Sequence, residues 1–319
     1  MQKQSHDITR RDLLKAGALV LGGAAWPLAA RSWPAWARQK SAGSAIDAHV
    51  HVWTPDVKRY PLAAGFSVED MQPPSFTPKE LLAHARPVGV GRIVLIQMNF
   101  YGFDNRYMLD SMRAHPGVFS GVAVIDENAA RVGDTMRDLK KQGVRGFRLY
   151  PFERPVEPFL SSPGMAAMWK AGALEQLAMC MLINPEGLVP LDGMCQKFPD
   201  TPVVIDHFGR VGINGVIRPA DLDDLCRLAR HKNTHVKVSA FYALGKKKAP
   251  YTDLAPMIRR LVEAYSPKRL MWATDCPYQV QNGHTYRDSI ELVKSRLDFL
   301  SDDDRQWLLH KTAERVFFL

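Results

Sequence analysis

Cysteine is scarce in this chain. Cys180, Cys195, Cys226 and Cys276 are the only four in 319 residues, and they form no C-x-x-C and no close pair. Two disulfides are arithmetically allowed. Cys180, however, lies in an apolar strand-like run and Cys226 in a helix-like one, where a buried free thiol is the commoner state, so mostly free thiols are expected. Long apolar runs are also missing: the longest, Ala16 to Ala30, covers about 15 residues where a spanning helix needs ~20. No Ser/Gly linker, charge block or fixed-period repeat interrupts residues 45–319, so one large domain is expected. No Lys/Arg stripe interleaved with aromatics is present, and Lys246-Lys247-Lys248 is the sole basic run. Despite a formal net charge of +9, nucleic acid is therefore not implied, whereas a small anionic substrate suits the charge. A Gly-rich turn is missing too: the first strand runs into His51-Val52-Trp53-Thr54-Pro55-Asp56 without G-x-G-x-x-G, which argues against an open dinucleotide-binding sheet.

Residues 1–37 are of a different kind. Thr9-Arg10-Arg11-Asp12-Leu13-Leu14-Lys15 precedes the short apolar run, and Ala35-Trp36-Ala37 follows as an A-x-A cleavage site. This is the layout of a cleavable twin-arginine signal, predicting contact with the twin-arginine export machinery and a periplasmic or exported mature chain from Arg38. Its removal takes a net +3 and leaves +6 on about 282 residues.

From residue 45 onward, β-branched runs alternate with amphipathic stretches that open at Pro, Asp or Ser. Strands are predicted at 45–52, 91–98, 118–125, 144–150, 179–184, 202–207, 234–240 and 269–274. Helices are predicted at 77–86, 104–114, 129–142, 164–177, 187–198, 220–231, 252–265 and 285–299, with a last one at 302–317. Eight such units predict an α/β fold, a single-domain (β/α)8 TIM barrel over 45–319.

Period-two alternation then assigns faces. In the first strand, Asp47, His49, His51 and Trp53 share the inward face, and Ile46, Ala48, Val50 and Val52 the outward one. Val203, Ile205 and His207 are grouped on another strand, as are Met271, Ala273 and Asp275. The pairs Gln97/Asn99, Gly146/Arg148 and Lys237/Ser239 follow the same logic. Because active sites of such barrels sit at the C-terminal strand ends, one layer of His49, His51, Asn99, Arg148, His207, Ser239 and Asp275 is expected at the mouth. A lone histidine on a strand is usually structural; three converging with an aspartate are the stronger signal.

Asp47-x-His49-x-His51, Ile205-Asp206-His207 and Ala273-Thr274-Asp275-Cys276-Pro277 resemble the amidohydrolase superfamily, in its amidohydrolase-related branch of lactonases. Tyr101-Gly102-Phe103-Asp104-Asn105, Val144-Arg145-Gly146-Phe147-Arg148-Leu149 and the closing Ala313-Glu314-Arg315-Val316-Phe317 extend the likeness over residues 45–319. The resemblance implies hydrolysis of a small, anionic or sugar-derived lactone or related ester. Asp275 would activate water, while His49, His51 and His207 polarise the carbonyl, directly or through a divalent ion such as zinc or manganese held by His49, His51 and Asp275. Arg148 and Arg210 would grip an oxyanion, with Asn99 and Tyr278 as further substrate contacts. One departure stands out: the fifth strand offers Asn184 in place of a histidine, so ligand count leaves metal dependence open. The alternative activity is a metal-dependent decarboxylase of small unsaturated or aromatic acids.

Overall fold

The computed structural model describes residues 44–151 and 154–319; the expected signal segment lies outside them. Its strands are β1 (Ala45–Val50), β2 (Val90–Ile96), β3 (Phe119–Ala123), β4 (Val144–Leu149), β5 (Ala178–Met181), β6 (Val203–Ile205), β7 (Thr234–Val238) and β8 (Leu270–Trp272). They form one parallel sheet in sequence order. The segment after β8 returns to β1: Asp275 N–H donates to the His49 carbonyl at 2.9 Å and His51 N–H to the Cys276 carbonyl at 2.8 Å. That joins the two ends of the sheet, as a TIM barrel requires.

Each crossover carries helix where the pattern predicts it: α1 (Pro78–Ala85), α2 (Arg106–Ala114), α3 (Val132–Lys141), α5 (Pro163–Glu175), α6 (Leu188–Lys197), α7 (Pro219–Arg227), α8 (Ala255–Tyr265) and α9 (Tyr286–Glu291). Proline at the first helical position starts α1, α5 and α7, where its missing N–H costs nothing. Thr77 and Glu80 add a reciprocal capping box to α1. One helix was not legible: α4 (Val156–Ser161), in a stretch expected to be loop. The predicted last helix is split into α10 (Asp302–Gln306) and α11 (Thr312–Phe317) by a π turn at Trp307–Lys311.

Alternating strand residues build two buried layers. Ile93, Leu95, Met179, Met181, Val203, Ile205, Leu270 and Trp272 pack outward among helix residues such as Leu191, Leu225 and Ile258. Inside the barrel lie Ile46, Ala48, Val94, Ile96, Val122, Ala178, Cys180, Val204, Met271 and Ala273, together with Ala313 and Phe317 of α11. The final helix thus closes the N-terminal end with a dry apolar plug.

Two face assignments need correction. Ile46 and Ala48 point inward, and Asp47 turns to the β1–β8 seam. There it accepts from Thr274 Oγ1 and Tyr286 Oη, each at 2.5 Å. The cause is a bulge: Asp47 pairs with Ile93 but Val50 with Leu95, so three steps on β1 oppose two on β2 and the alternation slips before His49. Likewise, Val203 and Ile205 face outward and do not share a face with His207, because β6 ends at Ile205 and the chain then turns. All four cysteines are free.

Candidate active site

The strand ends reach the mouth through left-handed backbone. His207, Phe208, Gly209 and Arg210 follow β6 with φ between 50° and 60°, Ala240 follows β7 at 54°, and Asp275 follows β8 at 69°. Non-glycine residues occupy this region at a cost, and clusters of them mark sites where side-chain aim outweighs local comfort. Here the turns swing His207 and Asp275 onto the pair already aimed inward by the β1 bulge.

The resulting cluster is tight. Asp275 Oδ1 lies 3.5 Å from His49 Nε2, 3.3 Å from His51 Nε2 and 3.8 Å from His207 Nε2. Asp275 Oδ2 accepts from the Tyr242 hydroxyl at 2.6 Å. Burial alone would raise the Asp275 carboxyl, but the imidazoles of His207, His51 and His49 packed around it hold it well below the usual carboxylate range. Burial lowers His207 and, together with Lys237, lowers His49 well below the ordinary imidazole value. Asp275 is therefore ionised and these two imidazoles are neutral near pH 7.

The hydrogen-bond partners fix the imidazole protons. His51 Nδ1 is 2.8 Å from the Ile96 carbonyl, which can only accept, so Nδ1 carries the proton and Nε2 a lone pair. His207 Nδ1 is hydrogen-bonded to Ser239 Oγ at 2.8 Å, with the Lys237 carbonyl 3.4 Å from the same hydroxyl, which anchors the ring with Nε2 turned to Asp275. His49 differs: its Nδ1 faces the Lys237 ammonium at 3.1 Å. Lys237 and Asp206, both fully buried, pair at 2.9 Å, and this charge holds the Asp206 carboxyl far down against its burial.

A cavity of about 420 Å³ opens above this cluster. His51, His207 and Asp275 line it, as do Asn99, Arg148, Arg210 and Tyr278, so seven of the nine predicted site residues meet in one space, while Ser239 lies fully buried against His207 Nδ1. His49 sits beneath its floor, fully buried. Arg154 and Glu127, also on the wall, are bonded to each other. Arg148 Nε is buried without a hydrogen-bond partner among the described residues. Asn184 does not join the cluster; it donates to Glu186 at 3.1 Å. Sequence reasoning missed Tyr242 and Arg154, gave Asp206 no role although it stands in the Ile205-Asp206-His207 motif, and left Lys237 out of the mouth layer although it was grouped with Ser239 on one face.

His49, His51 and Asp275 can by spacing hold a divalent ion, their donor atoms lying 3.3 to 3.5 Å apart. Ligands at usual zinc distances are separated by ~3.3 Å in a tetrahedron. The far side of His49 does not fit: a ligating Nε2 requires the proton on Nδ1, where the Lys237 ammonium stands as a second donor.

The sequence profile described as amidohydrolase matches residues 46–319. The chain belongs to the amidohydrolase family. A 2-pyrone-4,6-dicarboxylate hydrolase of Comamonas testosteroni is 29% identical over 263 residues, 79% of this chain and 82% of that one. A 4-sulfomuconolactone hydrolase of Rhizobium radiobacter is 27% identical over 73% of this chain and 76% of its own. Among solved structures, a probable 2-pyrone-4,6-dicarboxylic acid hydrolase from Acinetobacter baumannii, with citric acid bound, superposes with a TM-score of 0.73. It is 24% identical over 87% of this chain and 100% of the other.

Proposed function

We propose that the protein hydrolyses a small anionic lactone. The observation that carries this reading is the pairing, across one cavity, of the Asp275–imidazole cluster with Arg148 and Arg210, Arg148 keeping a buried N–H without a partner among the described residues. A buried donor of this kind is costly unless a ligand completes it, and a guanidinium fork suits a carboxylate or sulfonate. The curated relatives named above act on a dicarboxylated pyrone and a sulfonated lactone, which supports the same substrate class.

In this mechanism a water on Asp275 Oδ1 attacks the lactone carbonyl and its proton passes to the carboxylate. The tetrahedral intermediate collapses, the ring C–O bond breaks, and the proton goes on to the departing oxygen. Tyr242, bonded to Oδ2, keeps Oδ1 turned to the imidazoles and the water. A divalent ion, where one is bound, would polarise the carbonyl; the proton transfers fall to side chains alone. The decarboxylase alternative depends on such an ion, against which the Lys237 contact stands. Export through the twin-arginine route rests on the signal pattern alone, and N-terminal sequencing of the mature chain tests it.

The decisive experiment is a panel of lactones with and without a carboxylate, assayed with and without chelator. Ring opening of the carboxylated members that survives chelation supports the reading. Release of CO2 from unsaturated acids, abolished by chelator, replaces it with the alternative.

A further inference from the structure

Lys237 is the least expected group in the molecule. A lysine side chain with no exposure, projecting into a barrel otherwise lined by Cys180, Val204 and Met271, loses all its water. Asp206 Oδ1, at 2.9 Å, compensates the charge. One ion pair would not need to sit against a histidine, yet the same ammonium also lies 3.1 Å from His49 Nδ1. Below it, at 5.5 Å, is the ring of Phe317. Wedged between apolar plug and active site, the ammonium has two partners among the described residues, the Asp206 carboxylate and the imidazole.

An ammonium only donates. His49 Nδ1 must therefore accept, and the imidazole proton resides on Nε2, aimed at His51 Nε2 (3.3 Å) and Asp275 Oδ1 (3.5 Å). The competing arrangement puts the proton on Nδ1 and gives it to Asp206 Oδ1, also 3.5 Å away. That contact is longer, and it sets an N–H against the Lys237 donors. Only the competing arrangement frees Nε2 to ligate a metal.

We propose that Lys237 is a positioning residue that fixes the proton of His49 on Nε2 and thereby keeps the His49–His51–Asp275 group joined by hydrogen bonds, at the expense of its affinity for divalent ions. His49 then serves from beneath the cavity, donating into the pair formed by His51 and Asp275, and Asp275 stays a free carboxylate for water. The inference takes the mouth as the reactive centre, as proposed above, but concerns no particular substrate.

Two measurements on the full chain test it, and neither uses lactone turnover, so its failure is separable from that of the lactonase reading. In protein labelled with 15N-histidine, the ring nitrogens of His49, assigned by their loss in His49→Gln, should show the neutral form protonated at Nε2. A proton on Nδ1 overturns the proposal. Zinc alone is then titrated into metal-stripped wild type, Lys237→Met, and the double variant Asp206→Asn/Lys237→Met, which leaves no unpaired buried charge. Folded variants should bind zinc about 10- to 100-fold more tightly than wild type, the scale of other outer partners of metal-binding histidines. Equal or weaker binding in a folded variant overturns it. If neither variant folds, the wild-type imidazole spectrum decides.

Discussion

The two ends of the barrel are made from the same strands and obey different rules. At the N-terminal end Ile46, Val94, Val204 and Met271 meet Ala313 and Phe317 in a dry plug. At the C-terminal end the same strands deliver His49, His51, Asp206, His207, Lys237 and Asp275, charged or polar and nearly all buried. The plug gains stability from apolar area removed from water. The mouth gives some of it away by desolvating charges and holding left-handed turns. Lys237 marks the boundary, with an ion pair above and the ring of Phe317 below. The contrast teaches that this scaffold separates stability from reactivity along the barrel axis, so substitutions at the two ends should fail in different ways.

The sharpest separation should come from Asp275→Asn, which removes the proton acceptor and keeps its shape. Lactone hydrolysis should fall by about 10²- to 10⁴-fold with an unaltered circular dichroism spectrum, since general-base catalysis is worth that much. Full retained activity would break the reading of the mouth. At the other end, Phe317→Ala should cost about 3 to 5 kcal/mol in denaturant unfolding, because it empties the plug. Turnover per folded molecule should hold; a selective loss of turnover would mean that the plug shares in the chemistry.

A pH test sharpens the same contrast. His235, at the start of β7, is buried beside the Val203 carbonyl, and burial followed by the Arg315 charge lowers its pKa from 6.5 to about 4. In the unfolded chain it takes up a proton first, so its contribution is intact above about 6.5 and drains away as the pH falls to about 4. The loss should approach about 3 kcal/mol, and His235→Gln should flatten that part of the stability curve. An unchanged slope would transfer the acid sensitivity to other groups. The smallest effect is expected from Tyr242→Phe, which takes the donor from Asp275 Oδ2. We expect kcat to drop about 10-fold with KM little changed, as befits one hydrogen bond to a charged group. A shift confined to KM would make Tyr242 a substrate contact instead.

Much of this was legible because it depends on local period and residue type. All eight strands and the main helices follow from alternating runs, and the H-x-H pair, Arg148 and Asp275 stand near strand ends where barrels keep their chemistry. What failed was strict alternation. The bulge before His49 and the left-handed turn at His207 are set by pairing with neighbouring strands and by closure, not by anything in those few residues. Tyr242 went unseen, and Asp206 had a motif but no role, because neither role shows until β6, β7 and the turn after β8 come side by side.

Absences and periods in the sequence thus determined the barrel and the free thiols, because patterning reports on every strand and helix separately, and the short motifs around His49, His207 and Asp275 carried the family resemblance. Only the tertiary structure decided that His49 lies beneath the cavity while His51, His207 and Asp275 line it, and that a buried lysine faces His49 Nδ1. The reason is physical: which nitrogen of an imidazole carries the proton depends on the partner a few ångströms away, and that partner is 188 residues distant along the chain.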